Sequence, residues 1–169
     1  MDKKYQSITT IEDLKKYIGK NREIAFAFKT APHYQFRKEA DADVEPVKSY
    51  IVGCSFSVSE GSGVYVPLAH RLGANMDAEE FFGFLKEFLT NKNIVKISHN
   101  IAFQAALAYG NGILIQPPVY DTRAASQLTL KTDNKFRSFE DSDLDVLAKG
   151  ILEKSMIPLS KVTGKKFMD

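Results

Sequence analysis

One segment restricts the fold more than any other, because residues 23–30 carry apolar side chains at nearly every interior position. Residues 24–28 read IAFAF, without the alternation of apolar and polar residues that marks a strand with one solvent face. Strands covered on both faces lack that alternation. The segment therefore predicts a central strand that is buried on both sides.

Two helix starts are marked by capping pairs. Thr10 precedes Asp13 by three residues, and Asp77 precedes Glu80 by the same spacing. Apolar residues follow each pair at helical spacing, most clearly in residues 81–89. Further strands are predicted over 50–58, 64–68, 94–97 and 119–120, and further helices over 100–109, 121–130 and 144–152.

The connections between these segments also carry information. Residues 60–63 (EGSG) separate two β-rich runs at hairpin spacing, so they predict a turn between antiparallel strands and not a phosphate-binding loop. Residues 31–49 are polar and show no period, which favours an exposed loop. Gly110, Asn111 and Gly112 mark the end of a helix.

The element order indicates an α/β domain whose mixed sheet begins with antiparallel strands and is flanked by helices. We expect residues 1–169 to form a single domain, since 169 residues suffice for one hydrophobic core. The single Cys54 lies among strand residues and is expected to fill core space. A net charge of +2 identifies no partner. No apolar run suits a membrane span or a secretory signal, so we expect a cytoplasmic protein.

Several stretches in this order resemble the ribonuclease H-like fold of DnaQ-type 3′–5′ exonucleases. The resemblance is strongest to the proofreading domain of bacterial family A DNA polymerases, of the DNA polymerase I type, and it extends from Ile8 to Lys165. The stretches that carry it are IAFAF at 24–28, VGCSF at 52–56, VYVPLAH at 64–70, NIAF at 100–103, YDT at 120–122 and DVLA at 145–148.

The resemblance implies a site for two metal ions that hydrolyse a phosphodiester, and magnesium requires several carboxylates there. The family's first motif, Phe-Asp-Thr-Glu, corresponds to residues 28–31, where Lys29 and Ala31 replace both acids. The acid of the second motif, four residues after an asparagine, corresponds to Gln104. The third motif is expected beyond Asp169 in the family layout, so the chain looks like a fragment of a longer polymerase.

These replacements predict a site that binds no metal, with magnesium expected only if the domain were active. Lys29 brings a like charge, and two unit charges a few Å apart at intermediate dielectric repel by about 4 kcal/mol, roughly twice that for a dication. We expect Lys29 either to reach solvent or to donate to the Gln104 amide oxygen. Asp121 is expected to cap the helix that follows it.

A residual nucleic-acid contact is implied at His99 and Asn100, which correspond to family residues that touch single-stranded DNA. The base-stacking phenylalanine of the family corresponds to Leu159, and loss of an aromatic platform removes about 1–3 kcal/mol per base. DNA binding is therefore expected to be weak. His33 and His70 have no partners at metal-ligand spacing and are interpreted as structural or solvated.

The leading hypothesis is an inactivated exonuclease-like domain that supports the polymerase domain of the same chain, a DNA-directed DNA polymerase active in replication and repair. We expect it to be a monomer. The first alternative is an active but atypical metal-dependent 3′–5′ exonuclease that takes ligands from Asp41, Asp43 or Glu45. The second is a weak single-stranded DNA-binding module without chemistry.

Overall fold

The computed structural model describes residues 4–129, 142–157 and 161. The chain forms two compact units, residues 1–122 and residues 123–169. The first unit holds a six-stranded sheet and three α-helices. Its elements are β1 (Lys4–Ser7), α1 (Ile11–Ile18), β2 (Glu23–Pro32), a 3-10 turn (Tyr34–Phe36), β3 (Ser49–Ser57), β4 (Ser62–Pro67), α2 (Ala78–Thr90), β5 (Val95–Ser98), α3 (Ile101–Gly110) and β6 (Val119–Asp121).

The strand order β1-β4-β3-β2-β5-β6 gives a mixed sheet, as predicted. The pairs β2–β3 and β3–β4 are antiparallel, whereas β2–β5 and β5–β6 are parallel. The first strand, β1, pairs in parallel with β4 at the edge and was not predicted. It has four residues and Tyr5 is its one large apolar side chain, which is too little for a recognisable pattern.

The hydrophobic core lies on one face of the sheet. Strand β2 contributes Ile24, Phe26 and Phe28 to this core, and all three helices of this unit contribute buried residues to it. Phe26 and Phe56 both make edge-on ring contacts with Phe88 of α2, at centroid distances of 5.6 and 5.8 Å. Cys54 is fully buried in this core, as expected, and burial raises the pKa of its thiol well above the usual value.

The prediction that β2 is buried on both faces was wrong. Ala27 and Lys29 are exposed and Ala25 is half-buried, while their neighbours in sequence are buried. The side chains of β2 therefore alternate between buried and exposed in the structure, although apolar and polar residues do not alternate in its sequence. Alanine is apolar enough to hide the pattern and small enough to be exposed at little cost.

Both predicted capping pairs are confirmed. The Thr10 side chain accepts from the Asp13 nitrogen at the start of α1, and the Asp77 side chain accepts from the Glu80 nitrogen at the start of α2. The predicted hairpin of β3 and β4 is also confirmed.

The polar segment 31–49 is anchored more firmly than its sequence indicated. Strand β2 continues to Pro32, and Ala42 is buried. The Thr30 hydroxyl donates to the Asp43 carbonyl, which ties this segment to β2. Most of its other residues are half-buried or exposed, as predicted.

The helix α4 (Thr122–Thr129) begins at the last residue of the first unit, and α5 (Leu144–Leu152) belongs to the second unit. Within the second unit, Arg123 forms an ion pair with Asp143 at 2.8 Å. Helix α5 has the predicted position, but of its apolar residues only Leu147 is buried. Among the described residues, no helix has the length and apolar character that a membrane span requires.

Candidate functional site at the end of the central strand

The Gln104 side chain is bound to the backbone of the central strand. Its Oε1 accepts from the Phe28 backbone N–H at 2.9 Å, and both groups are buried. Strand β5 pairs with β2 only as far as Ala25, so the edge of β2 beyond this point needs other partners. The Ser98 hydroxyl supplies one by donating to the Phe26 carbonyl at 2.7 Å.

The other two positions that correspond to family acids lie one and three residues beyond Phe28. Lys29 is exposed and pairs across the sheet with Gly53, and Ala31 is half-buried opposite Tyr50. The expected bond between Lys29 and Gln104 is wrong, because the Gln104 oxygen is bound to the strand. The other alternative, in which Lys29 reaches solvent, is confirmed by its exposure.

The Asp121 carboxylate caps a different helix from the one expected. Its Oδ1 accepts from the Asn100 nitrogen at 3.0 Å, and its Oδ2 accepts from the Ile101 nitrogen at 2.9 Å, at the start of α3. The sequence suggested α4, which begins at the next residue. The parallel pairing of Ser98 with Asp121 places this carboxylate beside the chain that enters α3. A negative charge at a helix N-terminus is stabilising.

His99 and Asn100 lie at this same junction and are both half-buried. The His99 Nδ1 lies 3.0 Å from the Thr122 hydroxyl. Asn100 adopts a left-handed backbone conformation, with φ of 60°, as the residue before α3. The structure thus brings the two predicted DNA-contacting residues together with Asp121, while Leu159 lies outside the described residues.

Of the acids named for an atypical metal site, Glu45 is bound by a lysine that also binds Glu39. Lys48 binds Glu45 at 3.0 Å and Glu39 at 2.9 Å, and its hydrogen bonds to Glu39 and Glu45 raise its pKa. Within residues 4–129, 142–157 and 161, no three His, Cys, Asp or Glu side chains are placed to share a metal ion.

Comparison with known proteins shows the family to which this chain belongs. The sequence model of the 3′–5′ exonuclease family found in DNA polymerase A matches residues 5–166. The chain belongs to this 3′–5′ exonuclease family. DNA polymerase I of Chloroflexus aurantiacus is 26% identical over 106 residues, which cover 63% of this chain and 11% of that protein.

A second relative agrees with this assignment, and a solved structure shares the fold. DNA polymerase I of Pseudomonas aeruginosa is 28% identical over 127 residues, which cover 72% of this chain and 13% of that protein. The chain therefore spans only a small part of both curated relatives. The structure of Brucella melitensis NrnC with bound Mg²⁺ is similar in fold, with a TM-score of 0.60 at 20% identity, covering 93% of this chain and 65% of that one.

The magnesium that the exonuclease family implies does not fit the residues found here. Gln104 is a neutral amide whose oxygen already accepts from Phe28, and Ala31 has no ligand atom. Lys29 contributes a positive charge, and Asp121 is bound to the start of α3. Magnesium prefers anionic oxygen ligands, so these residues do not supply the ligand set that magnesium requires.

One pair of residues near this site was not predicted to be associated. The Tyr65 hydroxyl lies 2.7 Å from Nε2 of His70, and the two rings meet edge-on. Burial raises the pKa of Tyr65. The sequence places these residues five apart across the end of β4, and such spacing carries no recognisable signal. His70 was interpreted as structural or solvated, and the structure shows that it is exposed and has a specific partner.

Proposed function

We propose that this chain is an inactivated 3′–5′ exonuclease-like domain of a DNA polymerase I, and that it supports the polymerase domain of the same chain in replication and repair. The observation that carries the proposal is the bond between Gln104 and Phe28. In the family, the corresponding acid binds metal; here the side chain completes the edge of β2.

The charge at the neighbouring position supports the same conclusion. Lys29 is exposed at the strand position where the family carries an acid, and a lysine there opposes the binding of a divalent cation. Ala31 supplies no compensating ligand. Three of the positions that resemble metal ligands are thus occupied by groups that do not bind magnesium.

Similarity to two DNA polymerase I chains supports the proposed role as a support for a polymerase domain. A domain that lacks the metal-binding acids but keeps a buried core and a six-stranded sheet can still pack against a polymerase domain. We expect single-stranded DNA to bind weakly through His99 and Asn100, and we expect no magnesium cofactor, a monomeric domain and a cytoplasmic location.

A nuclease assay tests the proposal. The purified chain is incubated with an end-labelled single-stranded oligonucleotide and Mg²⁺ or Mn²⁺, beside an active 3′–5′ exonuclease as a positive control. We expect no shortened product. Cleavage that a chelator abolishes would contradict the proposal.

A matched set of variants separates the remaining explanations of any cleavage. If the atypical site were real, Asp41→Asn, Asp43→Asn or Glu45→Gln would remove the activity. If the activity persists in all three, it does not use these acids. Retention of the oligonucleotide without cleavage agrees with an inactive domain that still binds DNA.

A further inference from the structure

The outer edge of β1 carries backbone groups that the sheet does not use. Strand β1 is the last strand of the sheet and pairs with β4 alone. The Ile8 N–H donates to the Tyr65 carbonyl of β4 at 2.8 Å. Backbone groups of successive strand residues point to alternate sides, so those of Gln6 also face β4, while those of Tyr5 and Ser7 face outward. Within the described part of the chain, these outward N–H and C=O groups have no hydrogen-bond partner.

A cleft lies along this outer edge. It has a volume of about 460 Å³ and is lined by Gln6, Ser7 and Ile8, at the end of β1, and by Asp13, Lys16 and Tyr17 of α1. The side chains of Gln6 and Ser7 point to opposite faces of the sheet, so a cleft that contacts both residues runs along the backbone edge. Its volume lies in the range of pockets that hold ligands, roughly 300–1,000 Å³.

Helix α1 forms the other wall of the cleft and is held in place by two sets of contacts. Its apolar residues Ile11, Leu14 and Ile18 are buried in the core. The Tyr17 hydroxyl lies 2.9 Å from the Ser62 hydroxyl, which ties the helix to the strand next to β1. Both walls are thus fixed before a ligand arrives, and a preformed site binds its ligand at a lower entropic cost.

The unpaired charge in the cleft is positive. The Asp13 carboxylate accepts from the hydroxyl of the N-cap residue of α1 at 2.9 Å. Lys16 is exposed and forms no ion pair with any residue that the structure describes. The remaining exposed charges on α1 and in the turn that ends it are Glu12, Lys15 and Lys20, so positive charge prevails there. An acidic side chain that reaches Lys16 gains a charge partner, whereas a basic one is repelled.

We propose that an extended peptide of a partner protein binds along the outer edge of β1 as an additional strand, with an acidic side chain directed at Lys16. Hydrogen bonds to the backbone of Tyr5 and Ser7 supply the affinity, as in other domains that bind peptides by strand addition. Side chains of the added strand alternate between the two faces of the sheet, so every second one faces α1. The site shares no residue with the one at the end of β2 and does not depend on the loss of nuclease activity.

A display library of random short peptides, selected on the immobilised chain, provides the probe. We expect the selected peptides to be rich in aspartate and glutamate and in the β-branched and aromatic residues that favour strands. The peptide that is selected most often is synthesised with a fluorophore, and its Kd for the chain is measured by anisotropy. The absence of any enriched peptide, or enrichment of basic peptides, would overturn the proposal.

Charge reversal on α1 tests the role of Lys16. Lys16→Glu should raise Kd by about fivefold, because a favourable charge pair is replaced by repulsion. Lys15→Glu is the matched control, since Lys15 is exposed on the same helix but does not line the cleft. The control should change Kd by less than about twofold. Equal effects of the two variants would show that the peptide does not bind in this cleft.

Proline substitution tests the hydrogen bonds of the edge. Ser7→Pro removes an N–H that faces outward and keeps the bonds to β4, a position at which edge strands accept proline. It should raise Kd by about fivefold through the loss of a backbone hydrogen bond. Urea unfolding of the variant establishes that a loss of affinity does not reflect unfolding. Unchanged affinity in a folded Ser7→Pro variant would contradict strand addition, and Lys16→Glu tests the cleft if the proline variant does not fold.

Amide hydrogen exchange with and without the peptide identifies the mode of binding. The peptide should slow exchange of the Tyr5 and Ser7 N–H groups, whereas those of Gln6 and Ile8 are already bonded to β4 and should change less. Peptide binding that leaves Tyr5 and Ser7 unprotected would overturn strand addition. Sedimentation of the chain without peptide tests a second copy as the occupant. A dimer that Ser7→Pro converts to monomer would show that this edge pairs with another copy, and would overturn the choice of a partner peptide.

Discussion

The amide oxygen of Gln104 lies 2.9 Å from the backbone nitrogen of Phe28 and accepts its hydrogen bond in the buried interior. The bond joins α3 to the central strand at the point where pairing between β2 and β5 has ended. An acid at this position would carry a charge into the same buried place. The Gln104 side chain, which the resemblance aligns with a metal-binding acid, therefore completes the edge of β2.

This relationship predicts the effect of removing the acceptor. Gln104→Leu keeps a similar volume but leaves the Phe28 N–H without its partner, so the free energy of unfolding should fall by about 1–3 kcal/mol. Urea denaturation measures the change. Gln35→Leu, at an exposed position, is the control and should change stability by less than about 0.5 kcal/mol. Equal stability of the two variants would show that the bond to Phe28 is unimportant.

A pair of glycines provides a second prediction. A Cβ at Gly53 would collide with the Tyr65 hydroxyl and with a backbone oxygen, so Gly53→Ala should destabilise the fold by about 1–3 kcal/mol. Gly83 is exposed in α2 with nothing within 4 Å of an added Cβ, so Gly83→Ala should stabilise by about 0.5–1 kcal/mol. Thermal melting compares them, and a shift of the same sign in both variants contradicts this assignment.

Most helices and strands of the first unit were predictable because the sequence patterns that mark them are local. Thr10 and Asp77 cap helices through side-chain contacts three residues away, and the glycine-containing turn at residues 58–61 connects β3 to β4. Strand β1 was missed because its four residues gain their structure from pairing with β4. Its sequence carries no period of its own.

The sequence draws attention to particular residues of this site but does not predict their contacts. The resemblance aligns Lys29, Ala31 and Gln104 with the family's acids. The acceptor role of Gln104 at Phe28 depends on where β5 stops pairing, and the cap formed by Asp121 depends on the neighbouring strand. Both contacts join residues about 20 or more positions apart, so local patterns do not reveal them.

We expect the buried Lys96 to make the free energy of unfolding depend on pH in the alkaline range. Its side chain is fully buried, and Nζ donates to the carbonyls of Asn91 at 2.6 Å and Ile94 at 3.0 Å. Burial lowers its pKa below the usual 10.5. Between the lowered pKa and 10.5 the unfolded chain binds more protons than the folded one, so stability rises with pH across this window.

The comparison with Lys96→Met isolates this dependence. The difference in unfolding free energy, unaltered chain minus variant, should increase as the pH rises from neutrality towards 10.5 and level off above it. Urea denaturation at several pH values measures it. A difference that stays constant with pH would show that the buried amine titrates as it does in the unfolded chain.

The last prediction concerns the restoration of the family acids. The combined variant Lys29→Asp, Ala31→Glu and Gln104→Asp supplies three carboxylates and removes the opposing charge, so it should regain binding of Mn²⁺ or Mg²⁺ more readily than hydrolysis. Calorimetric titration detects the metal. Hydrolysis by two metals requires more ligands, yet Asp121 is bound to the start of α3 and no further metal-binding cluster exists among the described residues.

We also expect the combined acidic variant to have a lower free energy of unfolding than the unaltered chain. The aspartate at position 104 is one methylene shorter than glutamine, so it loses the bond to Phe28 and places a buried charge there, at a cost of about 1–3 kcal/mol without metal. Bound metal should recover part of this loss. The matched control is Lys29→Asn, Ala31→Gln and Gln104→Asn, which has the same shapes without charge and should bind no metal. Exonuclease rates in the acidic variant that equal those of an active family member would contradict the view that these three positions are insufficient.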